Sequence, residues 1–308
     1  MEITRRSIRL MGTTITISIL HQEAELILDQ AVDLLHLYKN RFSANDDDSE
    51  LMAVNKAAGL HPVKVHPDLF ELIAIGKEHS LAPDSHLNIA IGPLVQSWRI
   101  GFADARVPSV LEIASALLLI DPNEIHLFPD SSEVFLGVSG MKIDLGALAK
   151  GYIADKIGSF LRQEGVEDAI INLGGNVLTL GQHPLEERPW HIGIQLPDEK
   201  RGEHLTSLAV ANQSVVTSGI YERRLVVNGK TYHHIFNDKT GYPMETDVTS
   251  LTIVSDKSVD GEIWTTRLFG SAAPSIIEQV ESQEGIEALV ITQDQRIYMT
   301  TGIISKIV

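Results

Sequence analysis

Apolar and polar side chains alternate along residues 7–20 (SIRLMGTTITISIL), rich in Ile and Thr, and this period of two predicts one or two strands. Met11-Gly12-Thr13 interrupts the run, and Gly12 there marks a bulge or a close backbone approach. The period then changes. Leu26, Ile27, Ala31, Leu34, Leu35 and Tyr38 recur at helical spacing over residues 23–39, and a second amphipathic helix is expected over 67–81, opened by Pro67. Between them runs an Asp-rich stretch, 42–51, which superficially resembles a calcium loop. It lacks the central Gly and the terminal Glu at the required distance, so a solvated loop ending in a helix capped by Ser49 is expected.

Residues 86–94 read as a loop leading into a short helix near Trp98, followed by a helix over 108–119 and strands around 124–128 and 133–138. A short apolar strand over 141–145 then runs through Gly146-Ala147 into a helix reaching about Arg162. The strand 169–177 ends in a double glycine but lacks the G-x-G-x-x-G of a dinucleotide fold. Strands are expected at 190–196 and 205–211. Asn228-Gly229 joins 223–227 to 230–236 as a two-residue hairpin. A strand (250–255), helices (259–269 and 274–282) and two strands (287–292 and 296–300) close the chain. Strand and helix blocks do not alternate regularly, so the expected class is α+β, with largely antiparallel sheets flanked by helices.

The 308 residues fit one large domain or two intimately joined lobes. The formal charge of −16 argues against a nucleic-acid partner, which would need a basic stripe, and makes Lys150 and Arg223-Arg224 worth locating as counter-charges for an anionic ligand. The chain has no Cys, which excludes disulfides, thiolate metal sites and thiol lipidation. The opening residues lack the apolar run of a secretory signal, no segment approaches the length of a membrane span, and a cytoplasmic protein without a visible membrane anchor is expected.

Acids, hydroxyls and glycines gather in 144–151, 217–241 and 256–266. The turn at 144–150 can border one small volume with a carboxylate and an ammonium beside a helix start, a geometry suited to phosphate; an ordinary connection with a surface Asp and Lys fits the same residues. Glu262 and Thr266 lie four apart on one helix face, and with Asp144 and Thr265 they offer oxygen donors of the kind magnesium prefers, although a helix turn packing its threonine methyls is the stronger reading of Thr265-Thr266 taken alone. His233 and His234, adjacent on a strand, point to opposite faces and cannot readily share a metal; one of them in a cleft could accept a proton, and a structural His is the other reading.

These clusters occur in the order Met11-Gly12-Thr13, Phe42-Ser43 with Ser49-Glu50-Leu51 and Asn55, Gly92-Pro93-Leu94, Asp144-Leu145-Gly146-Ala147 with Ala149-Lys150-Gly151-Tyr152, Asn172-Leu173-Gly174-Gly175-Asn176, Thr217-Ser218-Gly219, His233-His234-Ile235, Thr240-Gly241-Tyr242-Pro243, and Glu262 with Thr266. In that order they resemble the ApbE-type FAD:protein FMN transferases over nearly the whole chain. The resemblance implies an ApbE-like (T-fold-like) domain with a FAD–Mg²⁺ cleft. It implies Mg²⁺-dependent transfer of FMN from FAD to a Ser or Thr hydroxyl of an acceptor flavoprotein, with release of AMP. By the same resemblance Ala147, Glu262, Thr265 and Thr266 would hold the metal. Met11, Asn45, His86, Leu87, Asn88, Asp144, Lys150, Ile235 and Phe236 would contact FAD. His234 would assist deprotonation of the attacking hydroxyl, and Asp144 would orient ligand or metal waters.

The family usually has Asp where Glu262 stands, often an aromatic at Asn45, commonly Asp at Asn88 and Asp-Pro at Asn237-Asp238, and it is often exported with a lipobox Cys. The absence of that Cys points to a cytoplasmic form. A FAD-binding protein without catalysis and a Mg²⁺-dependent FAD pyrophosphatase are the alternative expectations.

Overall fold

A computed structural model describes residues 2–197 and 204–308. In chain order the elements are β1 (Thr4–Leu10), β2 (Thr13–Ile19), α1 (Ala24–Phe42), α2 (Glu50–Lys56), β3 (Val63–Lys64), α3 (Pro67–Ser80), α4 (Gly92–Trp98) and α5 (Val110–Leu117). There follow β4 (Ile125–Phe128), β5 (Glu133–Leu136), α6 (Ala149–Gln163), β6 (Ala169–Leu173), β7 (Asn176–Leu180), β8 (Trp190–Gln195), β9 (His204–Val210) and β10 (Ser214–Gly219). The chain closes with β11 (Arg224–Val227), β12 (Lys230–His233), β13 (Val248–Ser255), α7 (Ser258–Leu268), α8 (Ala273–Glu281), β14 (Ile286–Thr292), β15 (Ile297–Met299) and α9 (Thr301–Ile304).

Eight strands form one sheet in the order β1-β2-β6-β7-β10-β13-β14-β15, and every neighbouring pair is antiparallel. The protein is therefore α+β, as its patterning predicts. Ile15, Ile17 and Ile19 point one way from β2 and are buried with Leu28, Leu35, Ile153 and Leu161 of α1 and α6; intervening β2 residues are more exposed, the alternation of a half-covered sheet. The central strands β7 and β13 are buried along their whole length. Val177 and Val254 turn to the face covered by the β8–β9 hairpin, while Leu178 packs toward α6 and Leu251 and Ile253 toward α7 and α8. Each such side chain contributes about 1.5–3 kcal/mol on leaving water, which is what holds helices to the sheet.

Short-range signals place the turns. Met11 and Gly12 both have positive φ and link Leu10 to Thr13, so the interruption in the first strand pattern is a two-residue hairpin turn. Asn228 and Gly229 do the same between β11 and β12. Ser49 caps α2 by accepting from the Met52 amide at 3.0 Å, and Pro67 opens α3, both as expected. The acidic loop is tied down by an Asp46–Lys39 ion pair.

Other expectations need correction. Residues 141–145 are extended but form no strand of a sheet. On one side Ile143 exchanges two hydrogen bonds with the buried side chain of Asn55 (2.7 and 3.0 Å), and on the other Asp144 N donates to Ile89 O and Gly92 N to Lys142 O. The backbone is thus satisfied by a side chain and a loop rather than by a ladder. The helix expected from Gly146 begins at Ala149, because the Leu148 and Ala149 amides both fold back onto the Leu145 carbonyl in a turn. A last helix, α9, was not expected. No helix of the described residues is long and apolar enough to cross a membrane.

Candidate active site

The first turn of α6 meets α7 at close quarters. A Cβ added at Gly151 would lie 2.4 Å from the Ser258 carbonyl oxygen and 2.8 Å from Glu262 Cγ, so only glycine permits this approach. The contact puts Glu262 beside Lys150, whose Nζ donates to Glu262 Oε1 at 2.7 Å. Asn176, the first residue of β7 after the Gly174-Gly175 turn, donates its Nδ2 to the same oxygen at 2.9 Å. Glu262 is buried, its side chain 5% exposed, and both contacts fall on Oε1; Oε2 accepts nothing among the described residues. A buried carboxylate persists only with such partners.

Asp155, on the second turn of α6, fixes the other end of the contact. Its two carboxylate oxygens accept from the Ser258 and Val259 amides (2.7 and 2.9 Å), so an acid from one helix satisfies the first donors of the next. Burial nonetheless raises its carboxyl to about 6, the two amide hydrogen bonds only partly countering it.

Ahead of α6, Asp144 Oδ1 accepts from the Gly146 amide at 2.8 Å. Burial raises the Asp144 carboxyl, with the Gly146 amide and Arg223 pulling the other way. The Ala147 carbonyl accepts no hydrogen bond among the described residues. Of the two threonines, Thr265 is fully buried and turns its hydroxyl back to the Glu262 carbonyl at 3.0 Å, while Thr266, half-buried, keeps its hydroxyl without a partner among the described residues. No group of three or more His, Cys, Asp or Glu is arranged to hold a metal among the described residues. Any cation here would be held by one carboxylate with neutral oxygens.

The opposite side comes from the chain after β12. His233 is spent on structure: its Nε2 meets the Met244 carbonyl at 2.9 Å and its Nδ1 accepts from the Ile235 amide. His234 differs. Its Nδ1 is buried without a partner. Burial, then the charge of Arg223, pushes its imidazolium down to about 4, so the ring is neutral at pH 7. Lys150 also acts on it electrostatically, and Arg223 acts on both His234 and Asp144. Lys150, Asp144, Arg223 and His234 therefore share one neighbourhood.

The remaining expected residues are held in different ways. Phe236 is buried against Trp98, ring centroids 5.7 Å apart, so its backbone rather than its ring is available to a ligand; Ile235 is partly buried beside α7 and α8. The loop 86–88 is tied to the end of α7 by His86 N donating to Arg267 O. Leu87 is buried, and Asn88 donates to the Ile120 carbonyl (2.9 Å) and Asp238 (3.4 Å) while accepting from Ala90 N. The Asn88 amide is thus consumed in holding two loops together. Asn45 is exposed and accepts from Gln96 of α4 at 3.2 Å. Met11 sits on the β1–β2 turn; its neighbour Thr13 lies against Gly174 of the β6–β7 turn, where a Cβ would come within 2.2 Å of Thr13 Oγ1. Neither Met11 nor Asn45 hydrogen-bonds to the Lys150–Glu262 pair among the described residues. Two hollows of about 380 and 480 Å³ lie elsewhere, one at Asp168 and His183 and one between α4 and α5.

Sequence reasoning passed over two partners here. Asn176 closes the Asn172-Leu173-Gly174-Gly175-Asn176 motif, which by itself suggests no role for it, and Asp155 carried no signal, since its partners lie 103 and 104 residues away.

This is an antiparallel α+β protein whose helix–helix contact gathers one carboxylate, one ammonium and neutral oxygens. The ApbE family model matches residues 11–290, and the chain belongs to the ApbE family. It is 41% identical to a FAD:protein FMN transferase of Klebsiella pneumoniae over 95% of this chain and 90% of that one. It is 33% identical to one of Treponema pallidum over 92% and 82%. The crystal structure of an ApbE protein from Thermotoga maritima has the same fold, with a TM-score of 0.90 over 99% of both chains at 24% identity.

Proposed function

We propose that this chain is a flavin transferase that moves the FMN half of FAD onto a Ser or Thr hydroxyl of an acceptor flavoprotein. The observation that carries the reading is the buried Glu262 carboxylate, held on one oxygen by Lys150 and Asn176 with the other left open. That arrangement sits in a family whose relatives carry the name FAD:protein FMN transferase.

In the reaction the acceptor hydroxyl oxygen attacks the FMN-side phosphorus. The bond from that phosphorus to the bridging pyrophosphate oxygen breaks, AMP leaves with the electron pair, and a phosphoester joins FMN to the acceptor. Such a transfer needs positioning and charge neutralisation more than covalent help. Lys150 supplies a cation for the pyrophosphate. The Lys150 and Gly151 amides, which have no backbone partner among the described residues, add donors at a helix start. His234, neutral at pH 7, takes the hydroxyl proton. Asp144 orients ligand groups, and the loops carrying Met11, Asn45, His86, Leu87, Asn88, Ile235 and Phe236 border the flavin nucleotide.

The residues fit a magnesium ion: Glu262 Oε2, the Ala147 carbonyl and the Thr266 hydroxyl would hold it, with Thr265 supporting from within the helix. When bound, that ion supplies charge neutralisation at the phosphates. The chain acts as one ApbE-like unit with the ligand between the α6–α7 contact and the 222–244 segment, and its setting is cytoplasmic.

One observation favours a second reading. His234 Nδ1 is covered by protein, and water reaches such an atom more readily than a protein hydroxyl does. Water in place of the acceptor would make the chain a FAD pyrophosphatase. The test is incubation with FAD and Mg²⁺, with and without a candidate acceptor. Transfer predicts an acceptor heavier by one FMN less water, with one AMP released. Free FMN and AMP without acceptor would instead establish hydrolysis.

A further inference from the structure

We infer that Asn176 is a positioning residue that aims the Glu262 carboxylate, and that its own amide is aimed by a buried hydroxyl pair, Ser258 and Ser214. The inference rests on the reading of Glu262 as a metal ligand.

The four side chains form a line of hydrogen bonds across three elements. Ser214 Oγ of β10 donates to Ser258 Oγ of α7 at 2.9 Å, Ser258 Oγ donates to Asn176 Oδ1 at 2.7 Å, and Asn176 Nδ2 donates to Glu262 Oε1 at 2.9 Å. Ser214 and Ser258 are fully buried, Asn176 is 3% exposed and Glu262 is 4% exposed. The donor pattern fixes the Asn176 amide, while the one Ser214 proton also has the Val177 carbonyl at 3.2 Å as an acceptor. A carboxylate only accepts, so Asn176 must face it with its NH₂. Its carbonyl then faces Ser258, whose single proton is committed to that bond. Ser258 can therefore only accept from Ser214.

Lys150 also holds Oε1, but the two partners are unlike. The Lys150 side chain is 31% exposed and rotates on four carbons, so it can turn to a ligand phosphate. Asn176 is short, buried and anchored at both ends of its amide. When Lys150 leaves, Asn176 is what keeps Oε1 in place, with Oε2 free of a partner among the described residues. Being neutral, it fixes the carboxylate without cancelling the charge offered to a cation. Partners of this kind typically change metal affinity about 10–100-fold when removed.

The test titrates Mn²⁺ alone into the full chain, reading free Mn²⁺ by its electron-spin resonance signal, alongside FAD affinity and the metal-free denaturation midpoint. Glu262→Gln tests the underlying reading: unchanged Mn²⁺ affinity there removes the metal site and the inference with it. Given a loss in Glu262→Gln, Asn176→Ala is expected to weaken Mn²⁺ about tenfold. FAD affinity should stay near wild type, while the metal-free midpoint should fall modestly, because Ser258 and Glu262 each lose a buried partner. Ser258→Ala, which keeps Asn176 but frees its amide to turn its oxygen toward Glu262, should weaken Mn²⁺ by a smaller factor, and it decides the matter if Asn176→Ala does not fold. Wild-type Mn²⁺ affinity in the folded variants, or a fallen midpoint with unchanged Mn²⁺ affinity, overturns the inference and leaves Asn176 a structural amide.

Discussion

On the α6–α7 side, the polar side chains that reach the site are carried by helices and by a strand of the main sheet. Glu262, Lys150 and Asn176 satisfy one another within 2.9 Å, and Asp155 locks the two helices together. On the other side, His234 hangs between a two-stranded hairpin and a turn, with Nδ1 buried and unpartnered. A buried polar atom without a partner costs about 1–3 kcal/mol. The first side ties one carboxylate oxygen in a constant geometry and leaves Oε2 for a cation, whereas the side of His234 holds a buried ring nitrogen without a partner. The contrast assigns binding and orientation to the first and proton transfer to the second.

The largest effect should come from the side of His234. His234→Ala is expected to lower turnover about 10²–10⁴-fold, the usual worth of a positioned acid–base group. FAD affinity, measured by flavin fluorescence, should stay near wild type. Equal losses in turnover and affinity would mean that His234 binds rather than shuttles a proton, and the contrast would fail at its centre. A next, smaller effect is expected from Gly151→Ala. The new methyl meets the Ser258 carbonyl oxygen at 2.4 Å, so α6 and α7 must separate, carrying Glu262 away from Lys150. A displacement near 1 Å costs roughly 10²-fold in turnover. Here Mn²⁺ and FAD affinity should fall together with the rate, unlike the His234 variant. Unchanged turnover would show that the helix contact is not what sets the geometry.

The same contrast explains what the sequence made legible. The Asn228-Gly229 turn, the Ser49 cap and the period-two strands are local, and each was expected where it lies; the break at Met11-Gly12 was legible as well, but as a bulge or close approach rather than the hairpin turn it is. Motif order sufficed to bring Lys150 and Glu262 into one site although they lie 112 residues apart. What stayed hidden was decided by distant partners. The extended run 141–145 has the composition of a strand, but its hydrogen bonds go to Asn55 and to the 89–92 loop. The helix start at Ala149 depends on how the Leu145 carbonyl is shared. Asp155 looks like any solvent-facing acid of an amphipathic helix until α7 is laid against it. Asn88, expected at the ligand, has its amide committed to Ile120, Asp238 and Ala90.

The smallest effect is expected where the two sides oppose each other in pH. Burial and the charge of Arg223 hold His234 at about 4, against about 6.5 in an unfolded chain. Between those values the unfolded chain binds a proton that the folded chain does not, so this contribution is full above pH 6.5 and is lost as pH falls toward 4. Asp155 runs the other way. Burial raises it to about 6, against about 3.9 unfolded, so the folded chain holds a proton that the unfolded chain releases. Its contribution is full below the unfolded value and is lost as pH rises toward 6. Each difference corresponds to about 3 kcal/mol at most, since neither group is wholly cut off from water. Over this shared window the two nearly cancel, and together they should change wild-type stability by less than about 1 kcal/mol. Removing one exposes the other. In His234→Gln the denaturation midpoint, taken relative to wild type at each pH, should rise as pH falls from 6.5 to 4, and in Asp155→Asn it should fall over the same interval. Parallel curves for the three proteins would mean that neither group is held out of water as the two sides require.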